Sequence, residues 1–326
     1  MTPTGSLFLL VLTVLVSSLQ TIHAFSFQLP KFPNPFGGNS NIAKPGPSTT
    51  TTLNPGSTIL VIGGTGGVGQ LVTKKLRSRN YSVRVASRDV GRAIETLDDP
   101  EVQVVPLNLV GTSERSDDVE LKQAFQDVNA VVISIGTTAF PTKKWAGGNT
   151  PQAIDQEAVV RLAQAAASTE SIQKLVLLTS VGVERTKEMP FLILNLFGVL
   201  DAKRAGEQAV IRNSSNGNYD YAIVRPGRLV GGPYTNLDLA KLMQIDGGAE
   251  NGVEVQVGDA LLGDCKRDAC AEAAVQCLEN AECQNVDFSI ISTEEAALTA
   301  EEWSAAFARM QQEQKQQQEA KAVVSS

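Results

Sequence analysis

The chain has 326 residues, with 35 acids against 28 Lys+Arg, four cysteines and one histidine. A net charge of −7 argues against broad capture of nucleic acid, which needs a basic face. With 42% hydrophobic residues and 27 glycines the chain is neither collagen-like nor disordered as a whole.

Residues Leu7–Leu19 form an apolar run of 13, too short to span a bilayer as a helix. The run ends five residues before the small Ala24, so residues 1–24 are read as a signal peptide. The one histidine, His23, lies inside it. Once it is removed, Ser–His–Asp chemistry and His-ligated metals are unavailable, and no metal site is expected. Residues 25–55 hold four phenylalanines, six prolines, Lys31, Lys44, a Thr/Ser run and no acid. The first acid of the whole chain is Asp89. Hydroxyl-rich, acid-poor composition marks a disordered transit-like segment. Signal and transit parts in tandem resemble the plastid presequence of algae with secondary plastids. The alternative is a secreted enzyme with a proline-rich linker. No stable membrane span is expected in the mature protein, and from Gly56 onward 26 basic residues face 35 acids, a net of −9.

From there β-branched runs alternate with amphipathic stretches. The strands read as Thr58–Gly63, Ser82–Ser87, Val102–Pro106, Ala130–Ile135, Lys174–Thr179, Tyr221–Val224 and Val286–Ile291. The helices read as Val68–Arg79, Val119–Gln126, Ala153–Ala167, Leu192–Ile211 and Arg267–Asn280. Alternation of this kind predicts an α/β fold, a doubly wound parallel sheet in a single domain over 56–310. Residues 311–326 read as a Gln-rich tail or frayed helix. The apolar run Leu192–Leu200 reads first as core, and second as a lid or partner surface.

The strongest chemical signal is the first turn. Thr58-Ile59-Leu60-Val61-Ile62 runs into Gly63-Gly64-Thr65-Gly66-Gly67-Val68-Gly69 and then into a helical stretch. Frames starting on Gly63 and on Gly64 both fit. The first glycine lets the chain leave the strand sharply, Gly66 lets backbone approach a pyrophosphate, and Gly69 lets helix pack on strand. The helix N-terminus offers free N–H groups to phosphates. Strand before and helix after both hold, so Gly63, Thr65, Gly66, Gly67, Val68 and Gly69 predict dinucleotide binding. The second strand ends in Ser87-Arg88, where NAD sites place an acid on the ribose 2′-OH. A guanidinium beside a hydroxyl suits a 2′-phosphate, so Ser87 and Arg88 predict NADP rather than NAD. The plainer reading is that Arg88 solvates its loop or pairs with Asp89.

Together with Ser87-Arg88-Asp89, Leu175–Gly182 (LVLLTSVG) and Tyr221–Gly227 (YAIVRPG), the glycine turn resembles the atypical short-chain dehydrogenase/reductases. The nearest group is NmrA-like and plant-plastid, and the similarity runs from about Thr58 to Met310. It includes Lys266–Ala271 (KRDACA), where the family places a helix bordering the substrate cleft. The resemblance implies a Rossmann sheet of order 3-2-1-4-5-6-7 with small C-terminal elements on the substrate side. It also implies that Asn108, where relatives usually carry Asp, stands near the adenine, Gly136 faces the cofactor ribose, and Thr179 and Pro226 border the nicotinamide.

Typical members use a Tyr-x-x-x-Lys pair, in which Lys⁺ lowers the pKa of the phenol that exchanges a proton with the substrate. Here Lys203 stands on the matching helix, but the position four before it is Val199. None of Tyr81, Tyr219, Tyr221 and Tyr234 is followed by Lys at that spacing. Three readings stay open. Lys203 is itself the acid/base, with Ser180 or Thr179 hydrogen-bonding a small-molecule substrate. Alternatively, hydride passes to a flavin or quinone protonated by solvent. In the third, the domain binds NADP without turnover, as a redox sensor or scaffold for a plastid protein partner. Lys203 reads chiefly as a ribose contact, against the plainer reading of an i,i+4 pair with Glu207. Cys265, Cys270, Cys277 and Cys283 match no zinc spacing, and Cys270 and Cys277 read as reduced core residues.

Overall fold

Strands form where aliphatic residues run without interruption. The computed structural model describes residues 53–110, 114–216, 219–232 and 251–325; the expected signal and transit segments (bar 53–55) and Tyr234 lie outside them. It places β1 at Thr58–Ile62, β2 at Ser82–Ser87, β3 at Gln103–Pro106, β4 at Ala130–Ile133, β5 at Lys174–Leu178 and β6 at Asp220–Pro226. Then come the short β7 (Arg228–Val230), β8 (Asn251–Val257), the short β9 (Asp264–Lys266) and β10 (Val286–Ala296).

The helices are α1 (Gly67–Ser78), α2 (Val90–Leu97), α3 (Glu114–Phe125) and α4 (Lys143–Ala146). A π-helical segment, Gln152–Ala158, runs straight into α5 (Val159–Ala167). The one-turn α6 (Phe191–Leu194), α7 (Val199–Asn216), α8 (Arg267–Glu279) and α9 (Ala300–Ser325) complete the set.

The sheet order is β3-β2-β1-β4-β5-β6-β10-β8. Its first seven members are the seven expected strands in the expected order, all parallel. The eighth, β8, pairs antiparallel with β10, Val255 opposite Ile290 and Val257 opposite Phe288. It begins inside the stretch Gly231–Glu254, which the sequence reading left without an element. Its alternation of Val253, Val255 and Val257 with polar residues is the pattern of a strand buried on one face. β7 and β9 form a separate two-stranded ribbon.

Successive strand residues point to opposite faces, and both faces are buried. Ile59, Val61, Val132, Val176 and Val224 pack toward α1, α8 and α9. Leu60, Ile62, Val131, Leu175 and Ile223 pack toward α3, α5 and α7. Coverage on both sides is why these strands are apolar throughout. The two helices on the first face are also joined by charge: Arg79 reaches Glu272 at 2.6 Å and Glu279 at 2.8 Å, and Lys75 reaches Asp268 at 3.2 Å. The buried Lys174 donates to the carbonyls of Cys277 (2.8 Å) and Asn280 (3.0 Å), closing the C-terminal end of α8.

Two sequence readings are corrected here. The span Leu192–Ile211 is two helices, not one. Gly198 takes φ +76°, and Asn195 Oδ1 accepts the N–H groups of Leu200 and Asp201, capping α7. The run Leu192–Leu200 is not core as a whole. Phe191, Val199 and Leu200 are buried, whereas Leu192, Ile193, Leu196 and Phe197 are exposed. The Gln-rich stretch continues α9, with Gln311 and Gln314 donating to the carbonyls of Gln284 and Asn285.

Candidate functional site

Two clefts meet along the carboxyl ends of the strands, where open α/β sheets bind ligands. The glycine turn forms their shared wall. Gly63 takes φ +85°, and a Cβ there would lie 2.5 Å from the Ser134 carbonyl oxygen. A Cβ on Gly69 would overlap the Gly63 carbonyl, so α1 closes on the end of β1 only with glycine at that position. Gly66 caps α1 with extended backbone and no side-chain hydrogen bond. The first-turn N–H groups of the helix are therefore not taken up by a capping side chain, and they face the cleft.

The first cleft has a volume of about 620 Å³ and extends from Gly63, Thr65 and Gly66 to Ser87, Arg88 and Arg92. Arg88 Nη1 donates to Asn149 Oδ1 at 2.9 Å rather than pairing with Asp89. Asp89 instead caps α2, accepting the Arg92 N–H at 3.0 Å, and Ser87 Oγ donates to the Asp89 carbonyl. Lys144 and Trp145 stand on the facing wall. Asn108 turns into its own loop. Its Oδ1 accepts the Val110 N–H, while its main-chain N–H donates to Glu120, and Leu107, Leu109 and Val110 form the cleft wall there.

The second cleft, about 420 Å³, shares Gly66, Ser134 and Gly136 with the first. It continues past Gly67 and Val68 to Thr179, Ser180, Lys203 and Pro226. Lys203 Nζ donates to Asp155 Oδ1 at 2.5 Å, and Asp155 is 1% exposed. The Lys203–Glu207 pair, the plainer of the two readings of Lys203, does not form. The other Asp155 oxygen accepts the N–H of Thr137 at 3.1 Å and its hydroxyl. A Cβ on Gly206 would overlap the Asp155 carbonyl, so α7 lies backbone to backbone on the π-helical segment. That close approach brings Lys203 and Asp155 together across 48 residues of chain.

Glu207 belongs to a second network. It is fully buried and accepts from the buried Arg225 at 3.0 and 2.9 Å, and from Thr179 Oγ1 at 2.6 Å. Arg225 also pairs with Asp287 at 2.6 Å and Glu184 at 3.2 Å. Burial opposes the Arg225 charge, but Glu207, Asp287 and Glu184 outweigh it and its pKa is raised. Because Thr179 spends its proton on Glu207, its hydroxyl faces the cleft as an acceptor. Ser180 Oγ donates to the Val181 carbonyl at 3.0 Å.

No phenol lines either cleft among the described residues. Tyr81, Tyr219 and Tyr221 are buried in the two cores, and burial pushes all three up, Tyr81 and Tyr221 to about 12. Val199, in the expected tyrosine position, is itself buried. The four cysteines are free and buried, and Cys270 alone of them edges the second cleft.

The expected Gly63, Thr65, Gly66, Gly67, Val68, Ser87, Arg88, Gly136, Thr179, Ser180, Lys203 and Pro226 thus all line one or other cleft. Gly69 sits beneath the turn and Asn108 beside it. The sequence reading missed Arg92 and Lys144, whose signal was a basic residue four after Arg88 and a Lys-Lys pair on an acid-free loop. It also missed Asp155 and Glu207, for which no local pattern exists.

A family model described as NAD(P)H-binding matches residues 63–281. The chain belongs to this NAD(P)H-binding family. Its resemblance to the NmrA-like, atypical short-chain dehydrogenase/reductases holds across the domain. This member of the family is 28% identical over 247 residues to an uncharacterized chloroplastic protein of Arabidopsis thaliana, covering 73% of this chain and 78% of that one. It is 33% identical over 180 residues to the chloroplastic protein TIC 62 of Oryza sativa subsp. japonica, covering 52% of this chain but only 34% of TIC 62. In fold it matches the oxidoreductase ylbE of Lactococcus lactis, with a TM-score of 0.57, 19% identity and coverage of 78% and 97%.

Proposed function

We propose that this protein is an NADP(H)-binding oxidoreductase of plastids, acting on a small substrate without the usual tyrosine. The observation that carries the reading is the continuity of the two clefts along the glycine turn, from the basic Ser87–Arg88–Arg92 end to Thr179 and Lys203. The uncapped N-terminus of α1 suits the pyrophosphate, and Arg88 with Ser87 suits a 2′-phosphate. Gly136 leaves room for a ribose beside Lys203, whose ammonium is held by Asp155. When bound, NADPH supplies a hydride at the second cleft. There, Lys203 keeps N–H groups for a ribose or substrate oxygen, and Ser180, whose proton goes to the Val181 carbonyl, adds a hydroxyl oxygen that can accept. The chloroplastic relatives support the plastid location.

A second reading, an NADP-binding scaffold or sensor without turnover, is favoured by the buried Val199 in place of tyrosine. Nucleotide titration followed by a screen of quinone, flavin and enal or enone reduction tests both. Tighter binding of NADPH than NADH and turnover lost in Lys203→Ala support the enzyme. Equal affinities overturn the NADP assignment. Tight NADPH binding with no turnover of any acceptor supports the scaffold.

A further inference from the structure

The segment after β5 turns apolar side chains to solvent. Met189, Leu192, Ile193, Leu196, Phe197 and the neighbouring Phe140 are between 43% and 65% exposed. Phe197 joins this segment to the preceding loop, meeting Phe140 and Trp145 edge-on, each with ring centroids 6.1 Å apart. Contiguous apolar surface of this kind marks an interaction site.

The patch is built rather than frayed. Phe191 is buried against Gly182, under the Arg185 guanidinium at 4.6 Å. Asp259 fixes the same loop, accepting from Gly182 N–H at 2.7 Å, Glu184 N–H at 2.8 Å and Arg185 at 2.8 Å. Asn195 caps the next helix. Between these anchors, α6 exposes three consecutive residues, Leu192, Ile193 and Leu194. With Phe191 as its buried side, the turn presents its other three residues to solvent.

The surrounding charge is basic in an acidic chain. Residues 138–150 contain Lys143 and Lys144 and no acid, and residues 185–200 contain Arg185 and Lys187 against Glu188. Lys143, Lys144 and Lys187 are exposed. At the edge of the patch, Glu184 is paired with Arg204 at 2.6 Å, while Asp201 accepts from the Asn195 amide at 2.8 Å and keeps its charge, against the three exposed lysines. A projecting apolar turn with lysines behind it matches a bilayer interface, where apolar tips enter the acyl boundary and cations meet anionic headgroups. Among the described residues no helix is long and apolar enough to cross a membrane, so the contact is with the surface.

We propose that Met189–Phe197, with Phe140 and the three lysines, is a docking surface for an anionic lipid bilayer. Flotation of the full chain with phosphatidylcholine vesicles, with and without phosphatidylglycerol, tests this against Leu192→Glu/Leu196→Glu and Lys143→Gln/Lys187→Gln, which leave the cleft residue Lys144 in place. The apolar run Leu7–Leu19 is present in every variant, so the differences report the patch. The wild type should float with the mixed vesicles. The leucine variant should lose about tenfold or more in bound fraction. The lysine variant should lose the preference for phosphatidylglycerol, as should the wild type in high salt. Retained nucleotide binding in both variants shows that they fold. Equal flotation of wild type and leucine variant overturns the proposal, as does absence of flotation. A dimer in solution that the leucine variant dissolves also overturns it, and assigns the patch to a second copy.

Discussion

The two clefts share a wall but hold their shape by different means. In the first, the shape is set by backbone: a strand, a glycine turn and an uncapped helix, all within Thr58–Ser78. In the second it is set by buried charge, with Lys203 on Asp155 and with both Thr179 and Arg225 on Glu207, drawn from elements far apart in the chain. A backbone cradle is fixed once its local sequence is fixed. A buried ion pair holds only while both partners stay in register, and breaking it leaves one charge stranded.

The contrast predicts where substitutions hurt. The largest effect belongs to Asp155→Ala, which strands Lys203 beside the second cleft and should cost about 3–5 kcal/mol in urea unfolding. Asp155→Asn, which keeps the shape and an acceptor for Thr137, should cost clearly less. If the two match, the pair is not what holds this end. Gly69→Ala pushes a methyl group into the Gly63 carbonyl and should cost about 1–3 kcal/mol while also weakening nucleotide binding. Nucleotide affinity unchanged in that variant would mean the turn tolerates opening. Arg88→Ala should weaken NADPH by about tenfold, ~1.4 kcal/mol, and leave NADH nearly unchanged, read by titration calorimetry. The smallest effect concerns pH. Burial raises the Asp287 carboxyl despite Arg225 beside it. Its contribution to stability is therefore full below the ordinary carboxylate range and is lost as pH climbs through the raised value. Asp287→Asn should flatten that limb of the stability–pH curve.

The same contrast explains what could be read in advance. The seven parallel strands and the glycine turn follow from local patterns, namely aliphatic runs and glycines at fixed offsets. Ser87 and Arg88 stand at a fixed distance from that turn and were legible for the same reason. Asp155 was not, because its partner is 48 residues away and only the absence of a Cβ on Gly206 lets the helices meet. Lys203 lines the second cleft, and the plainer reading of an i,i+4 pair with Glu207 fails because that rule describes an isolated helix, whereas here Glu207 is claimed by Arg225. The apolar run after β5 misled in another way. Hydrophobicity alone does not distinguish a segment that enters the core from one that is anchored at Phe191 and then turned outward.

One feature of the fold bears on how it is reached. Trp303, Phe307 and Met310 of α9 are buried in the same core as β1, and Phe307 packs edge-on to Phe288 of β10. Arg79 of α1 meets Glu272 and Glu279 of α8 some two hundred positions later. Contacts of such separation close large loops before they are rewarded, which slows folding. The glycine turn near the start of the domain therefore waits, as the chain is made, for residues beyond 300 to complete the layer beneath it.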